Sequence, residues 1–112
     1  MAKYKSIKTT VDGIKFDSKA EAEYYIHLLN LQKIGDVKII ALQPKVYLTE
    51  ARILYKPDFL IEENGKPVYI DVKGFITPVF AIKKRLWVQY GAGLLRLVKG
   101  FRTIDEVISK TS

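Results

Sequence analysis

Two short acidic segments carry the residue types in this chain that could do chemistry. The first is Pro57-Asp58 and the second is Asp71-Val72-Lys73. Side chains alternate between the two faces of a strand, so Asp71 and Lys73 are expected on one face and Val72 on the other. A hairpin between the segments would bring Asp58 beside Asp71. The pattern therefore predicts two carboxylates and an ammonium group at one place.

Such a group of charges favours a divalent cation. Two adjacent carboxylates repel each other, and a divalent cation removes that repulsion. The chain has no cysteine and a single histidine, His27, so the ligands are hard oxygens, which favour Mg²⁺ or Mn²⁺ over zinc. Mg²⁺ keeps several waters, one of which can attack a phosphate that the ion polarises. Lys73 would orient or deprotonate that water, or stabilise charge on the phosphorane. This chemistry is phosphodiester hydrolysis.

Length and composition agree with a small nucleic-acid enzyme. The 112 residues fit one domain, 1–112, and the formal net charge of +7 favours a polyanionic partner, nucleic acid first and an anionic membrane second. The absence of cysteine excludes disulfides and cysteine nucleophiles. No apolar run reaches the roughly 20 residues that span a bilayer, and the N-terminus lacks the hydrophobic segment of a signal peptide. We expect a cytoplasmic protein with no membrane partner.

A first helix is expected from Lys19 to Ile34. Ser18 is a suitable N-cap, Glu21 completes a capping-box pattern, and Gly35 ends the helix. Helical spacing predicts a buried stripe made of Ala22, Tyr25, Ile26 and Leu29.

Strands and a second helix account for the rest of the chain. Turn signals at Asp12-Gly13 and Asn64-Gly65 predict two hairpins. The predicted elements are a hairpin of Ile7 to Val11 and Ile14 to Phe16, strands Val37 to Leu42, Val46 to Thr49, Ile53 to Glu62, Val68 to Lys73 and Leu94 to Val98, a helix Pro78 to Tyr90 and a short final helix Thr103 to Ile108. This order predicts an α/β (α+β) fold, a central mixed β-sheet flanked by helices with an N-terminal β-hairpin.

These segments resemble a known family. Pro57-Asp58 followed by Asp71-Val72-Lys73 is similar to the signature of the PD-(D/E)XK nuclease superfamily, which includes restriction endonucleases and Holliday junction resolvases. The run Phe16 to Tyr25 resembles the first helix of that fold, where a glutamate reaches the metal site. With its N-terminal hairpin the chain resembles small phage-encoded endonucleases and resolvases over roughly Val11 to Val98. The resemblance implies a restriction-endonuclease-like core.

The resemblance also implies roles for individual residues. It makes Asp58 and Asp71 ligands of Mg²⁺, for which Mn²⁺ would substitute, with the backbone carbonyl of Val72 as a further ligand. It makes Lys73 the catalytic lysine.

The acidic residue of the first helix is left open between two glutamates. The resemblance favours Glu21, as a catalytic residue that could also reach the metal, because it follows Ser18 in the family's spacing. Glu23 lies on another face of the helix and is the alternative. A purely structural role for Glu21, capping the helix with Ser18, carries about equal weight.

Clusters of cations are candidates for DNA contacts. They lie on the second helix and in the N-terminal segment: Lys83, Lys84, Arg85, Lys3, Lys5 and Lys8. The alternatives are an ordinary solvated helix face and a soluble tail.

The function expected from these features is Mg²⁺-dependent cleavage of DNA. We expect a structure-selective endonuclease that acts on branched duplex DNA, as a Holliday junction resolvase does, in phage DNA recombination or processing in the host cytoplasm. The alternatives are a nicking or single-strand-specific nuclease of the same fold and a non-catalytic DNA-binding module. Symmetric cutting of two strands needs two sites, so we expect a homodimer, partly by analogy with the family.

Overall fold

The computed structural model describes residues 7–74 and 76–110. Within these residues the elements follow one another as β1 Thr9–Val11, β2 Ile14–Phe16, α1 Lys19–Lys33, β3 Val37–Leu42, β4 Val46–Tyr47, β5 Leu54–Tyr55, β6 Phe59–Glu63, β7 Lys66–Val72, α2 Pro78–Tyr90, β8 Leu94–Lys99 and β9 Arg102–Ile108. A five-stranded sheet in the order β3-β6-β7-β8-β9 forms the centre, and β1-β2 and β4-β5 are separate two-stranded ribbons. The expected mixed sheet with flanking helices and an N-terminal hairpin is confirmed.

The central sheet is mixed because one connection contains a helix. β7 and β8 pair in parallel through the crossover that contains α2, whereas the other neighbouring strands pair antiparallel. The β6–β7 hairpin turns at Asn64 and Gly65, whose φ angles of 53° and 76° suit a tight two-residue turn. The register of this hairpin sets Phe59 opposite Ile70.

The chain after β8 corrects one prediction. The helix expected from Thr103 to Ile108 is instead β9, which pairs antiparallel with β8. Gly100 has φ 63°, so the chain can reverse there without strain. The segment is rich in β-branched residues, which suit a strand that completes the sheet.

Two further predictions needed adjustment. The buried stripe of α1 consists of Glu21, Ala22, Tyr24, Tyr25 and Leu28, whereas Ile26 is exposed. The strand expected from Ile53 to Glu62 is interrupted at residues 56–58, which separate β5 from β6. Proline has no backbone N–H to donate to a ladder, and Pro57 lies within that break.

The two faces of the sheet carry separate cores. The α1 side buries apolar side chains such as Phe59, Ile70 and Val98, together with Leu28. The α2 side contains Phe80, Trp87, Leu95, Leu97 and Val107 with Tyr55 from β5. Burial of one such side chain is worth roughly 1.5–3 kcal/mol, so both helices are held against the sheet. Strand β7 lies between the two layers.

Trp87 fixes the end of α2 against the sheet. Its indole N–H donates to the carbonyl of Gly93 at 2.8 Å. A Cβ atom on Gly91 would lie 2.5 Å from the Trp87 ring, so this position requires glycine.

In the described residues no helix is long and apolar enough to cross a membrane.

Candidate active site

The acidic residues lie at one end of the strands of the central sheet. β3 ends there at Leu42, β7 ends at Val72 and β8 ends at Lys99, while β6 begins there at Phe59. The first turn of α1 lies in the same region, and its residue Glu21 lines a cavity together with Asp58. Side chains of residues at or next to these strand ends therefore lie close together.

Asp58 is held at this end of the sheet by hydrogen bonds with backbone groups. Its Oδ2 accepts the N–H of Val72 at 2.7 Å. Its own carbonyl accepts the N–H of Gln43 at 2.9 Å, where the chain after β3 has a positive φ of 48°. The β6–β7 hairpin thus brings Asp58 beside Asp71, as the sequence predicted.

Three carboxyl groups form one hydrogen-bonded cluster, which we call the acidic cluster. The carboxyl of Asp58 shares hydrogen bonds with those of Asp71 and Glu21. Burial, and then the negative charges of Asp71 and Glu21, raise the pKa of Asp58 to about 10. Burial also raises the pKa of Glu21, and the hydrogen bond from Asp58 opposes this shift. At neutral pH, without a cation, the cluster therefore holds a proton at Asp58.

Glu21 and Glu23 differ sharply in environment. The Glu21 side chain is buried and belongs to the acidic cluster, whereas Glu23 is exposed. The N–H of Glu21 donates to Ser18 Oγ at 3.1 Å, which is half of a capping box. The carboxyl of Glu21 accepts the backbone N–H of Asp17 and bonds to Asp58. The side chain thus reaches the site while the backbone serves the helix cap.

Asp71 is bonded on its other side to a lysine and a tyrosine. Lys73 Nζ lies 3.2 Å from Asp71 Oδ2, and the same oxygen accepts a hydrogen bond from the Tyr55 hydroxyl. The Lys73 ammonium also lies 3.9 Å from the centre of the Phe80 ring, a cation–π contact that fixes its position. Burial, and then the charge of Asp71, raise the pKa of Tyr55, which keeps the phenol protonated as a donor.

Tyr55 is a site residue that the sequence did not reveal. It is buried on β5, and its ring packs edge-on against Trp87 with centroids 5.9 Å apart. In the sequence it is a tyrosine in an apolar run, which is typical of core packing. Its hydroxyl meets Asp71 because packing against the α2 side of the sheet brings β5 next to β7.

An open cavity of about 390 Å³ leads from the solvent to the acidic cluster. Its lining combines acidic and basic side chains: Glu21, Tyr55, Lys56, Asp58, Asp71, Lys73 and Lys83. The buried carboxyls of Glu21 and Asp71 form its floor, and the exposed Lys56 and half-buried Lys83 form its walls. A polyanion could be held by the walls while one of its phosphates approaches the floor.

The donor set suits a hard divalent cation. Within residues 7–74 and 76–110, no three acidic or histidine side chains are spaced as a ready-made metal-ligand group. Asp58 is instead hydrogen-bonded to both other carboxyls of the acidic cluster, whereas Glu21 and Asp71 repel each other through their charges. A divalent cation would relieve the same repulsion, and oxygen donors of this kind prefer Mg²⁺ or Mn²⁺. Val72 also lines the cavity.

The cations predicted on the second helix do not share one environment. Lys83 lines the cavity, and its ammonium lies 5.8 Å from the centre of the Tyr55 ring. Lys84 is paired with Asp105 of β9, and this hydrogen bond lowers the pKa of Asp105. Arg85 is exposed. Lys84 is therefore paired with a carboxylate of the protein, while 40% of its side chain remains exposed.

The remaining cations lie elsewhere. Lys8 is exposed just before β1, whereas Lys3 and Lys5 lie outside the described residues. Lys56, which the sequence analysis did not single out, lines the cavity because it directly precedes Pro57 in the break between β5 and β6.

Comparison with known proteins places the chain in a family. Residues 1–104 match the model of a family described as protein of unknown function (DUF1064), and the chain belongs to this family. Over 87 residues the chain is also 34% identical to a protein named Endonuclease Bax1 from Sulfurisphaera tokodaii. That alignment covers 77% of this chain and 17% of the Sulfurisphaera protein, so the chain corresponds to a small part of its length.

Proposed function

We propose that this protein is a divalent-metal-dependent DNA endonuclease that hydrolyses phosphodiester bonds, and that it is a member of the PD-(D/E)XK superfamily. The observation that carries the proposal is the acidic cluster, in which Glu21 and Asp71 are buried and Asp58 is half-buried, with the Lys73 ammonium 3.2 Å from Asp71. Buried charges of one sign are costly unless a cation compensates them, so an arrangement of this kind is more typical of a functional site than of a fold requirement. The similarity to a protein named endonuclease supports the same reading.

The acidic cluster is the proposed cation site. Asp58 and Asp71 would hold Mg²⁺, with Mn²⁺ as a substitute, and Glu21 and the Val72 carbonyl would complete the protein ligands. When bound, the cation would polarise the phosphate and activate water for attack. The backbone N–H of Val72 fixes Asp58, and the Tyr55 hydroxyl fixes Asp71.

Lys73 supplies positive charge where negative charge develops on the phosphate. Its ammonium is anchored between Asp71 and the Phe80 ring, so the charge is in place before substrate binds. Preorganised charge of this kind is a major source of catalysis in such sites. Lys56 and Lys83 on the cavity walls would hold neighbouring phosphates of the strand.

The proposed substrate is branched duplex DNA, and the proposed assembly is a homodimer, as in resolvases that process phage DNA. An exposed apolar stripe on α2 supports the dimer. It consists of Val79, Ile82 and Tyr90, of which Val79 and Ile82 are more than half exposed. The buried face of the same helix, with Phe80 and Trp87, already packs on the sheet, so the stripe is a second apolar face, available to another copy.

A cleavage assay tests the proposal. A four-way junction, a linear duplex and a single strand, each end-labelled, are incubated with the wild-type chain in Mg²⁺ or in EDTA. Asp71→Asn removes a proposed ligand, and Asp36→Asn, at an exposed position before β3, is the matched control. We expect Mg²⁺-dependent cleavage that prefers the junction, an Asp71→Asn rate lower by about 100-fold or more, and a control like wild type.

Several outcomes would contradict parts of the proposal. Equal cleavage by wild type and Asp71→Asn would show that the site is wrong. Cleavage of single strands alone, or nicking of one duplex strand, would replace branch selectivity with the corresponding nuclease activity. If the wild-type protein binds Mg²⁺ but cuts none of the three DNAs, the proposed endonuclease activity is refuted.

A further inference from the structure

The turn between β8 and β9 presents an aromatic ring among cations. Phe101 lies at its tip and is 62% exposed, and the flanking residues Lys99 and Arg102 are also exposed. Gly100, with φ 63°, allows the tight reversal. Phe101 belongs to neither core cluster of the described residues, so its exposed ring is available for contact with a partner.

The Phe101 ring is held in a fixed orientation. It stacks on the imidazole of His27 with ring centroids 4.8 Å apart and an angle of 23° between planes. The ring of Tyr24 supports it further, with centroids 6.4 Å apart. Because α1 covers one side of the ring and the side chain remains mostly exposed, the ring offers a preorganised apolar surface to solvent.

This turn adjoins the acidic cluster. The N–H of Lys73 donates to the carbonyl of Val98 at 2.8 Å, so the turn begins one residue beyond a direct contact with the site strand. Tyr24 also follows Glu21 by three residues on α1, which is less than one helical turn. Both connections place the turn at the same end of the sheet as the acidic cluster.

We infer that Phe101 is a stacking platform for an unpaired DNA base next to the scissile phosphate, and that Lys99 and Arg102 hold the phosphates on either side of that base. A base within a continuous duplex is already stacked on both faces and has no free surface for the ring. An unpaired base offers one, and its flanking phosphates match the two cations. The inference rests on the proposed function and deepens it, because it requires unpaired bases close to the cut, as at a branch point, flap or gap.

Binding in EDTA, where no cleavage occurs, tests the platform. Two probes are compared by fluorescence anisotropy: a duplex that contains a short unpaired segment with 2-aminopurine, and the fully paired duplex of equal length. Phe101→Leu keeps an apolar side chain but removes the ring. Ile108→Ala is the matched control, since Ile108 is 65% exposed and lies at the opposite end of β9.

The wild-type protein is expected to prefer the unpaired probe and to quench 2-aminopurine fluorescence. Losing one base–aromatic stack costs about 1–3 kcal/mol of binding free energy. In Phe101→Leu the preference for the unpaired over the paired probe should therefore fall by about 5- to 150-fold, and the quenching should be lost. Phe101→Tyr should restore both, and Ile108→Ala should behave as wild type.

The proposal is overturned if Phe101→Leu retains the wild-type preference and quenching, or if the wild type shows no preference for the unpaired probe. These outcomes are separable from failure of the proposed function. Protein that shows the Phe101-dependent preference but cuts no DNA in Mg²⁺ would refute the nuclease and leave the platform standing. Protein that cuts DNA with the same preference after Phe101→Leu would refute the platform alone.

Discussion

Asp58→Asn should remove the pH dependence of stability that the acidic cluster imposes. Burial and the charges of Asp71 and Glu21 raise the pKa of Asp58 from 3.8 to about 10. Between these values the folded protein holds a proton that the unfolded chain has released. The resulting stabilisation is complete below the unfolded pKa and is lost as the pH rises through the folded pKa. One proton corresponds to 1.36 kcal/mol per pH unit, so the free energy of unfolding should fall by about 3 kcal/mol between pH 6 and pH 8.

Urea unfolding in EDTA at pH 6, 7 and 8 measures this effect. Asparagine keeps the shape of Asp58 and an oxygen for the Val72 N–H, but it does not titrate. We expect the wild-type stability to decline by about 3 kcal/mol more than that of Asp58→Asn over this range, and Asp36→Asn to follow the wild type. Parallel pH profiles for wild type and Asp58→Asn would refute the reasoning, because they would mean that the cluster holds no extra proton.

Three further predictions address the site and the assembly. Glu21→Gln should slow single-turnover cleavage in Mg²⁺ by at least about 10-fold while Glu23→Gln leaves it unchanged, and similar losses in both would remove Glu21 from the site. Tyr55→Phe deletes the buried donor to Asp71 and should lower the free energy of unfolding in urea by about 1.5–3 kcal/mol, whereas wild-type stability would show that this bond contributes nothing. Ile82→Glu should convert the proposed dimer to a folded monomer, measured by light scattering, with an unchanged circular dichroism spectrum, and a monomeric wild type would contradict the proposed dimer.

Local signals were enough to predict much of the framework. The turns at Asp12-Gly13 and Asn64-Gly65 sit at the tips of the two expected hairpins, since positive φ is needed there whatever the surroundings. Strand alternation put Asp71 and Lys73 on one face, where they form an ion pair. These features depend on short stretches of chain, which is why sequence patterns captured them.

Features that depend on distant contacts were missed. Thr103 resembled a helix N-cap, but the reversal at Gly100 lets the following residues pair with β8, and that pairing decided the outcome. Ile26 fitted an apolar helical stripe, but α1 is rotated so that Glu21 reaches the acidic cluster, and Ile26 is left exposed. No sequence pattern around Tyr55 predicts its hydrogen bond to Asp71, since the two partners are 16 residues apart.

Binding of Mn²⁺, followed by electron paramagnetic resonance of the free ion, tests the central claim most directly. The claim is that Glu21, Asp58 and Asp71 together hold a divalent cation. We expect the wild type and Asp36→Asn to bind Mn²⁺, more tightly at pH 8 than at pH 6 because the cation displaces the Asp58 proton, and Asp71→Asn to lose this binding. Equal Mn²⁺ binding by wild type and Asp71→Asn, or none by the wild type at either pH, would contradict it.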